Sequence, residues 1–212
     1  MSGKLTGAAR FFRWVSLSAM GVCRDWGEHR RVSNFDELLR NNDRFAAGDL
    51  KGRQPAIPFL PHRQVYIVTC IDPRVDPAAL FGLGLGDAIV ARNVGGRVTP
   101  AVLQDLAWIS YLHETKTPDA EWFELAVMHH TDCGSGLFAD DRTRHGFTER
   151  GFDDAETAAL AVLDPAVTVA LDVRKIRGAS QISSRIKVTG FAYDVKTGIV
   201  STVVPPTEEA DR

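Results

Sequence analysis

Two short motifs, far apart in the chain, constrain this fold more than anything else in it. The first, Cys70-Ile71-Asp72-Pro73-Arg74, follows the β-branched apolar run QVYIVTC at residues 64–70. The second, His129-His130-Thr131-Asp132-Cys133-Gly134, follows a run at 121–129. Both runs read as buried strands, so each cluster sits just past a strand's carboxyl end, where open α/β sheets place their ligands. Cys70, His130 and Cys133 offer two thiolates and an imidazole, a soft donor set that suits Zn²⁺. They can meet on one ion only if the two strands are neighbours in one sheet. Taken singly, each has a plain reading, a buried core cysteine or a structural histidine. As a set, all at strand exits and with His130-x-x-Cys133 able to wrap one turn around an ion, they point to a metal.

The rest of the chain supports an α/β fold. Residues 87–92 (DAIVAR) and 187–193 give two more strands, and 199–204 a further one returning antiparallel after the turn DVKTG at 194–198. Ser33 is an N-cap for a helix over 34–46 that ends at Gly48. Thr99-Pro100 opens a helix to about residue 114, and Asp164-Pro165 opens one to about 177. Alternating strands and helices predict a mostly parallel central sheet, about four parallel strands plus the C-terminal antiparallel strand, flanked by helices. Residues 49–62, with Pro55, Pro58 and Pro61, read as an extended arm, and the polar, Gly-bounded stretch 139–152 as a mobile loop near the second cluster. The expected organisation is an N-terminal extension (1–32), one zinc-binding α/β domain (33–204) and a C-terminal tail (205–212).

Three protein ligands rather than four is the catalytic count, since one position stays open for water or substrate. Asp72 and Arg74 alternate with Cys70 along an extended segment, so all three side chains start on one face. The bland reading is a surface ion pair worth little. The functional one has Arg74 hold Asp72 bidentately, ionised and oriented. Asp72 can then accept a hydrogen bond from water on the metal, or bind the metal and close the site. Asp132 reads as a turn residue in preference to a supporting acceptor. His129 and His145 are candidates for a proton relay, against a structural or surface role. Gly95-Gly96 permit close backbone approach to the site, or simply a tight turn. Phe81, Val94, Gly95, Gly96 and Leu137 are the candidate pocket residues.

Several classes are excluded. A formal net charge of −2 and a pI near 6.3 make no case for nucleic acid or an anionic membrane as partner. Three cysteines, two of them in the clusters and Cys23 in the extension, argue against a disulfide framework and for a reducing, cytoplasmic setting. Lys4, Arg10 and Arg13 ahead of the apolar run 14–22 have the outline of a signal peptide. The run is short, carries two serines and lacks a small-x-small cleavage site, so a docking helix, a partner-binding arm or a start at Met20 fits better. Gly82-Leu83-Gly84-Leu85-Gly86 fails as a dinucleotide fingerprint, because its third glycine would fall at Asp87 and it precedes a strand.

Cys70-x-Asp72-x-Arg74 with His130-x-x-Cys133-Gly134 resembles the β-class carbonic anhydrases. The similarity extends through Arg92-Asn93-Val94-Gly95-Gly96 and Gly190-Phe191-Ala192-Tyr193-Asp194, covering about residues 33–204. The resemblance implies Zn²⁺ on Cys70, His130 and Cys133, an Asp72-Arg74 catalytic dyad, reversible hydration of CO₂ to bicarbonate, and a homodimer or homotetramer. His129 stands where many members have glycine and Pro73 where serine is common. The His-His-Thr-Asp-Cys-Gly form looks like a subgroup that includes carbonyl sulfide hydrolases. Hydrolysis of carbonyl sulfide, or of carbon disulfide, is therefore the second expectation. A zinc-binding protein without turnover is the third.

Overall fold

The computed structural model describes residues 34–48 and 60–206. The expectations for the 1–32 extension, its Cys23, the Ser33 cap, most of the 49–62 arm and the end of the tail lie outside the described residues. Two compact units make up the chain, Met1–Lys51 and Gly52–Arg212. The described part of the first is helix α1 (Asn34–Ala47). Its Phe35, Leu38 and Leu39 recur at helical spacing and are exposed.

The second unit is built on a five-stranded sheet. In chain order its elements are β1 (Val65–Cys70), α2 (Pro77–Phe81), β2 (Ala88–Asn93), α3 (Pro100–Lys116), β3 (Glu124–His130), α4 (Asp141–Thr148), α5 (Asp154–Ala159), α6 (Pro165–Arg177), β4 (Lys187–Asp194) and β5 (Ile199–Val204). The strands lie in the order β2-β1-β3-β4-β5. The first four are mutually parallel and β5 runs antiparallel to β4, as the alternating sequence pattern required. The order reverses between β1 and β3, because the chain steps from β1 to β2 on one side and then to β3 on the other. A crevice opens at the carboxyl ends of two such strands, and those ends carry Cys70 and His130.

Side chains alternate across the strands. Tyr66, Val68, Leu125, Val127 and Val188 face α3 and α6 and form the main core with Val102, Leu106, Val169, Val173 and Ile176. Both helices start as their sequences foretold. Thr99 Oγ1 accepts from Val102 N, and Asp164 Oδ1 accepts from Ala166 N at 2.8 Å, each with proline in the first turn. The opposite face is only partly covered. Val75, Met128 and Tyr193 form a small cluster there with Leu80 and Phe191. Beside it an apolar groove of about 340 Å³ runs over Val65, Ile67, Phe81, Leu83, Ala126 and Phe191. No described helix is long and apolar enough to cross a membrane.

Residues 139–152 are not the loop expected. Asp140 caps α4 by accepting from Thr143 N at 2.8 Å, and Asp153 caps α5 by accepting from Glu156 N at 2.8 Å. Gly151, at φ +87°, makes the turn between them. Arg144 ties the pair together through Asp154 at 3.0 Å and the Phe138 carbonyl at 2.9 Å. Phe138, Phe147 and Phe152 pack edge to face. The helix α2 was also unforeseen. Asp76 caps its start, and Gly82 closes it in the left-handed conformation that glycine adopts at little cost.

Candidate metal centre and its supporting network

Cys70 is the last residue of β1 and His130 the last of β3, two adjacent parallel strands. Past His130 the chain must fold back to present Cys133. Asp132 makes that turn at φ +55°, and Thr131 pins it by donating its N–H to the Tyr193 carbonyl at 2.9 Å. All three candidate ligands are buried, and their donor atoms lie within 4.8 Å of one another.

The donor chemistry fits a zinc ion. Two thiolates on a tetrahedral zinc, at Zn–S of about 2.3 Å, stand about 3.8 Å apart, and Cys70 Sγ lies 3.8 Å from Cys133 Sγ. His130 Nδ1 donates to the Thr131 carbonyl at 2.9 Å. That bond fixes the tautomer and leaves the Nε2 lone pair for a metal. Nε2 is buried and has no hydrogen-bond partner, a costly state for an imidazole nitrogen unless something binds it.

Both sulfurs are surrounded by donors. Cys70 Sγ accepts from Asp72 N at 3.4 Å and from the Gly95 N–H. Cys133 Sγ lies 3.2 Å from Ser135 Oγ and accepts the Ser135 N–H. The Cys70 contact draws the Cys133 thiol well below the usual thiol range against its burial, with help from His130 and Ser135. The same contact, together with burial, pushes Cys70 up. For His130, burial opposes the charged form, but Cys133, the Thr131 carbonyl and Asp72 outweigh it and raise the ring's pKa. Val162, from the segment after α5, packs on both cysteines.

Asp72 and Arg74 form the bidentate pair expected. Arg74 Nε donates to Asp72 Oδ1 at 3.0 Å and Nη2 to Oδ2 at 2.8 Å, and the Arg74 N–H adds a third bond at 2.9 Å. These bonds hold the Asp72 carboxyl down at about 2, against some desolvation. Asp72 Oδ2 then stands 4.0 Å from His130 Nε2. Arg74 also reaches the second loop, donating to Asp132 Oδ2 at 2.7 Å and the Asp132 carbonyl at 2.8 Å. Asp132 is thus both the turn residue expected and a supporting acceptor, which corrects the turn-only reading. Arg92 braces the first loop through the Cys70 and Asp72 carbonyls at 3.0 and 2.7 Å.

The remaining candidates separate. Gly95 and Gly96 approach the cluster as closely as the sequence allowed. A Cβ on Gly96 would stand 2.7 Å from Cys70 N, and one on Gly95 2.9 Å from Ser135 Oγ. Val94 precedes them, and the exposed Leu137 lies on the short helical turn Gly134–Ala139 after Cys133. Phe81 does not join them; it lines the open-face groove with Val65 and Glu124, at the strands' amino ends. His145 is exposed on α4 and faces Glu149 at 3.5 Å.

His129 is no route to solvent. It is wholly buried, its Nε2 donates to the Gly96 carbonyl at 3.1 Å, and its Nδ1 lies 2.8 Å from Thr168 Oγ1. It belongs to a buried ionic network that sequence reasoning missed. Asp172, from the middle of α6, accepts from Arg97 Nε at 2.7 Å, Arg97 Nη2 at 3.2 Å, Val98 N at 2.9 Å and Lys175 Nζ at 2.7 Å. Burial alone would raise the Asp172 carboxyl's pKa, but His129, Arg97 and Lys175 hold it well below the usual carboxylate range. A depressed carboxyl contributes stability above its unfolded pKa of about 3.9 and loses it as pH falls below that. Wild type should therefore exceed Asp172→Asn in urea stability by about 3–5 kcal/mol above pH 5. The gap should narrow as pH drops below about 4. A gap independent of pH down to 3 would refute a charged Asp172.

The comparisons agree with this geometry. A protein-family model described as carbonic anhydrase matches residues 65–164. The β-carbonic anhydrase 1 of Mycobacterium tuberculosis is 31% identical over 170 residues, 80% of this chain and 98% of its own length. A carbon disulfide hydrolase of Acidianus sp. is 25% identical over 191 residues, 78% of this chain and 87% of its own. The solved carbonic anhydrase of Streptococcus mutans aligns with a TM-score of 0.64 at 33% identity, covering 81% of this chain and 98% of that one.

Proposed function

This chain belongs to the β-carbonic anhydrase family, and from that premise we propose that it catalyses the reversible hydration of CO₂ to bicarbonate and a proton. We assign Zn²⁺ to Cys70, His130 and Cys133, with Asp72 and Arg74 as the working dyad. The observation that carries the assignment is the position of an ionised Asp72 Oδ2, 4.0 Å from the orphaned His130 Nε2. An ionised carboxylate there borders the three-donor cluster and can accept a hydrogen bond.

Zinc held by three protein ligands supplies a Lewis acid that lowers the pKa of water to about 7. The chain's own groups do the rest. Arg74 keeps Asp72 ionised and aimed, so that Oδ2 accepts a hydrogen bond from the attacking water and aligns its lone pair with the carbon of CO₂. Asp132 stops Arg74 from swinging away, because it engages the guanidinium by two further bonds. Val94, Gly95, Gly96 and Leu137 are the proposed pocket wall. The two glycines let main chain rather than side chain border the cluster.

A second reading rests on the Acidianus relative, a carbon disulfide hydrolase by name. Carbonyl sulfide and carbon disulfide are linear like CO₂ and offer the same electrophilic carbon. Water attack on carbonyl sulfide gives thiocarbonate, which breaks down to H₂S and CO₂. The third reading, zinc without turnover, needs Asp72 as a permanent fourth ligand. The deciding experiment measures CO₂ hydration and H₂S release from carbonyl sulfide and carbon disulfide on one zinc-quantified preparation. CO₂ turnover exceeding H₂S release per zinc is the expected result. The reverse would replace CO₂ by a sulfur substrate, and no turnover on any of them from pH 7 to 9 would leave the third reading.

We also propose a homodimer or homotetramer working in a reducing cytoplasm. Mostly parallel sheets are normally covered on both faces, and α3 and α6 cover one here. The apolar groove over Ile67, Phe81 and Phe191 leaves the other for a second copy.

A further inference from the structure

Asp172 and Arg97 lie in neither motif. A charged pair in the interior is an expensive way to join α6 to the sheet, since apolar residues of similar volume often give equal or better stability. What the pair touches is therefore informative. From one carboxylate, Asp172 grips the turn after β2 at two consecutive residues, through the Arg97 side chain and the Val98 N–H. Lys175, one turn further along α6, clamps the same turn by donating to the Val98 carbonyl at 3.2 Å. Arg97 Nη1 continues past the carboxylate to the carbonyls of Ala159 and Ala161. The same segment carries Leu160, whose carbonyl faces Gly95, and Val162, which packs on both thiols.

Three sides of the candidate metal cradle converge on this pair. The turn holding Gly95 and Gly96 lends its N–H to Cys70 Sγ and stacks on the Cys70 peptide. The segment after α5 closes over both sulfurs through Val162. His129, next to His130 in the chain, bonds the Gly96 carbonyl and lies 3.4 Å from Asp172 Oδ2. None of these groups is among the three candidate donors, yet each touches a segment that carries one.

We propose that Asp172 and Arg97 are positioning residues for the metal cradle: they lock the Gly95–Val98 turn and the segment after α5 so that the Cys70 and Cys133 sulfurs and His130 are held ready for the ion. This rests on the metal assignment above. Partners behind metal ligands are typically worth about 10–100-fold in metal affinity or activity, and a role of that size is expected here.

The test uses the full chain, loaded with Zn²⁺ for affinity by chelator competition and with Co²⁺ for the thiolate charge-transfer and ligand-field bands. Asp172→Asn strands the Arg97 charge and risks unfolding. The double variant Arg97→Met/Asp172→Leu removes both charges and keeps the volume filled. Val173→Ala, in the core on the same helix, serves as a destabilised control. The double variant should fold, bind Zn²⁺ about 10–100-fold more weakly than wild type and shift the Co²⁺ bands, while Val173→Ala melts lower with affinity and bands unchanged. Affinity within twofold of wild type and an unshifted spectrum in the double variant would overturn the proposal. So would an equal loss of affinity in Val173→Ala, since general loosening would then explain both. Wild type failing to bind Zn²⁺ would instead sink the metal assignment itself.

Discussion

An Asp72→Asn enzyme should keep its zinc and lose CO₂ hydration by a factor on the order of 10²–10⁴, the usual worth of a positioned general acid or base. Asparagine preserves the shape of the side chain and one carbonyl oxygen to face Arg74. It removes the negative charge and the second acceptor, the one that stands 4.0 Å from His130 Nε2. The loop itself should hold. Arg74 stays anchored by the Asp132 carboxylate and carbonyl, and Arg92 by the Cys70 and Asp72 carbonyls. Zinc content and turnover measured on the same sample separate the cases. Wild-type turnover would remove Asp72 from the mechanism. Loss of zinc along with turnover would instead make Asp72 a ligand.

The charge on Asp72 also limits what pH can do. Arg74 holds the carboxyl at about 2, so the dyad stays ionised throughout the neutral range. With Zn²⁺ held by Cys70, His130 and Cys133, a rise in activity between pH 6 and 9 would therefore come from the ion lowering the pKa of water to about 7, and not from Asp72.

The sheet was legible because its strands are short apolar runs, with β1 and β3 buried on both faces or nearly so and β2 and β5 partly exposed. Residues 64–70 and 199–204 announce themselves by composition alone. Helix α6 was legible for a different reason, since Asp164 and Pro165 state its start chemically, whatever the pattern that follows. Helices α4 and α5 were missed although Asp140 and Asp153 carry the same cap chemistry. No apolar stripe follows either cap, and α4 is held instead by Arg144 and by aromatic edges that only the folded chain brings together.

The donors of the candidate centre were readable because each motif places its residues at a strand end. The supporting shell was not. Arg97 and Asp172 are 75 residues apart, and charged residues are surface residues by default, so nothing local marks them as a buried pair. Phe81 failed for the converse reason. It is close to Arg74 in sequence, but α2 carries the ring to the groove on the open sheet face. His129 looked like a relay because it adjoins His130. Neighbours on a strand point to opposite faces, and His129 points into the network behind the cluster.

Cys133→Ala should cost nearly all bound zinc and bring CO₂ hydration to background, yet leave a folded protein. With Cys133 gone, Cys70 and His130 are two donors where zinc sites use three or four, and the ion should pass to a mild chelator on dialysis. The fold does not depend on the ion in the way a zinc finger does, where metal binding supplies the folding free energy. Here Val68, Val127, Val169 and Val173 close a core between the sheet and α3 and α6, and β1 and β3 are paired from Val65–Glu124 to Thr69–Met128. Far-UV circular dichroism and a cooperative melt should therefore survive the substitution. A variant that unfolds when its zinc is lost would show the ion holding the structure together. A variant that stays folded and inert places the ion in the chemistry, at the one position where two strand ends, a locked turn and an ionised carboxylate already converge.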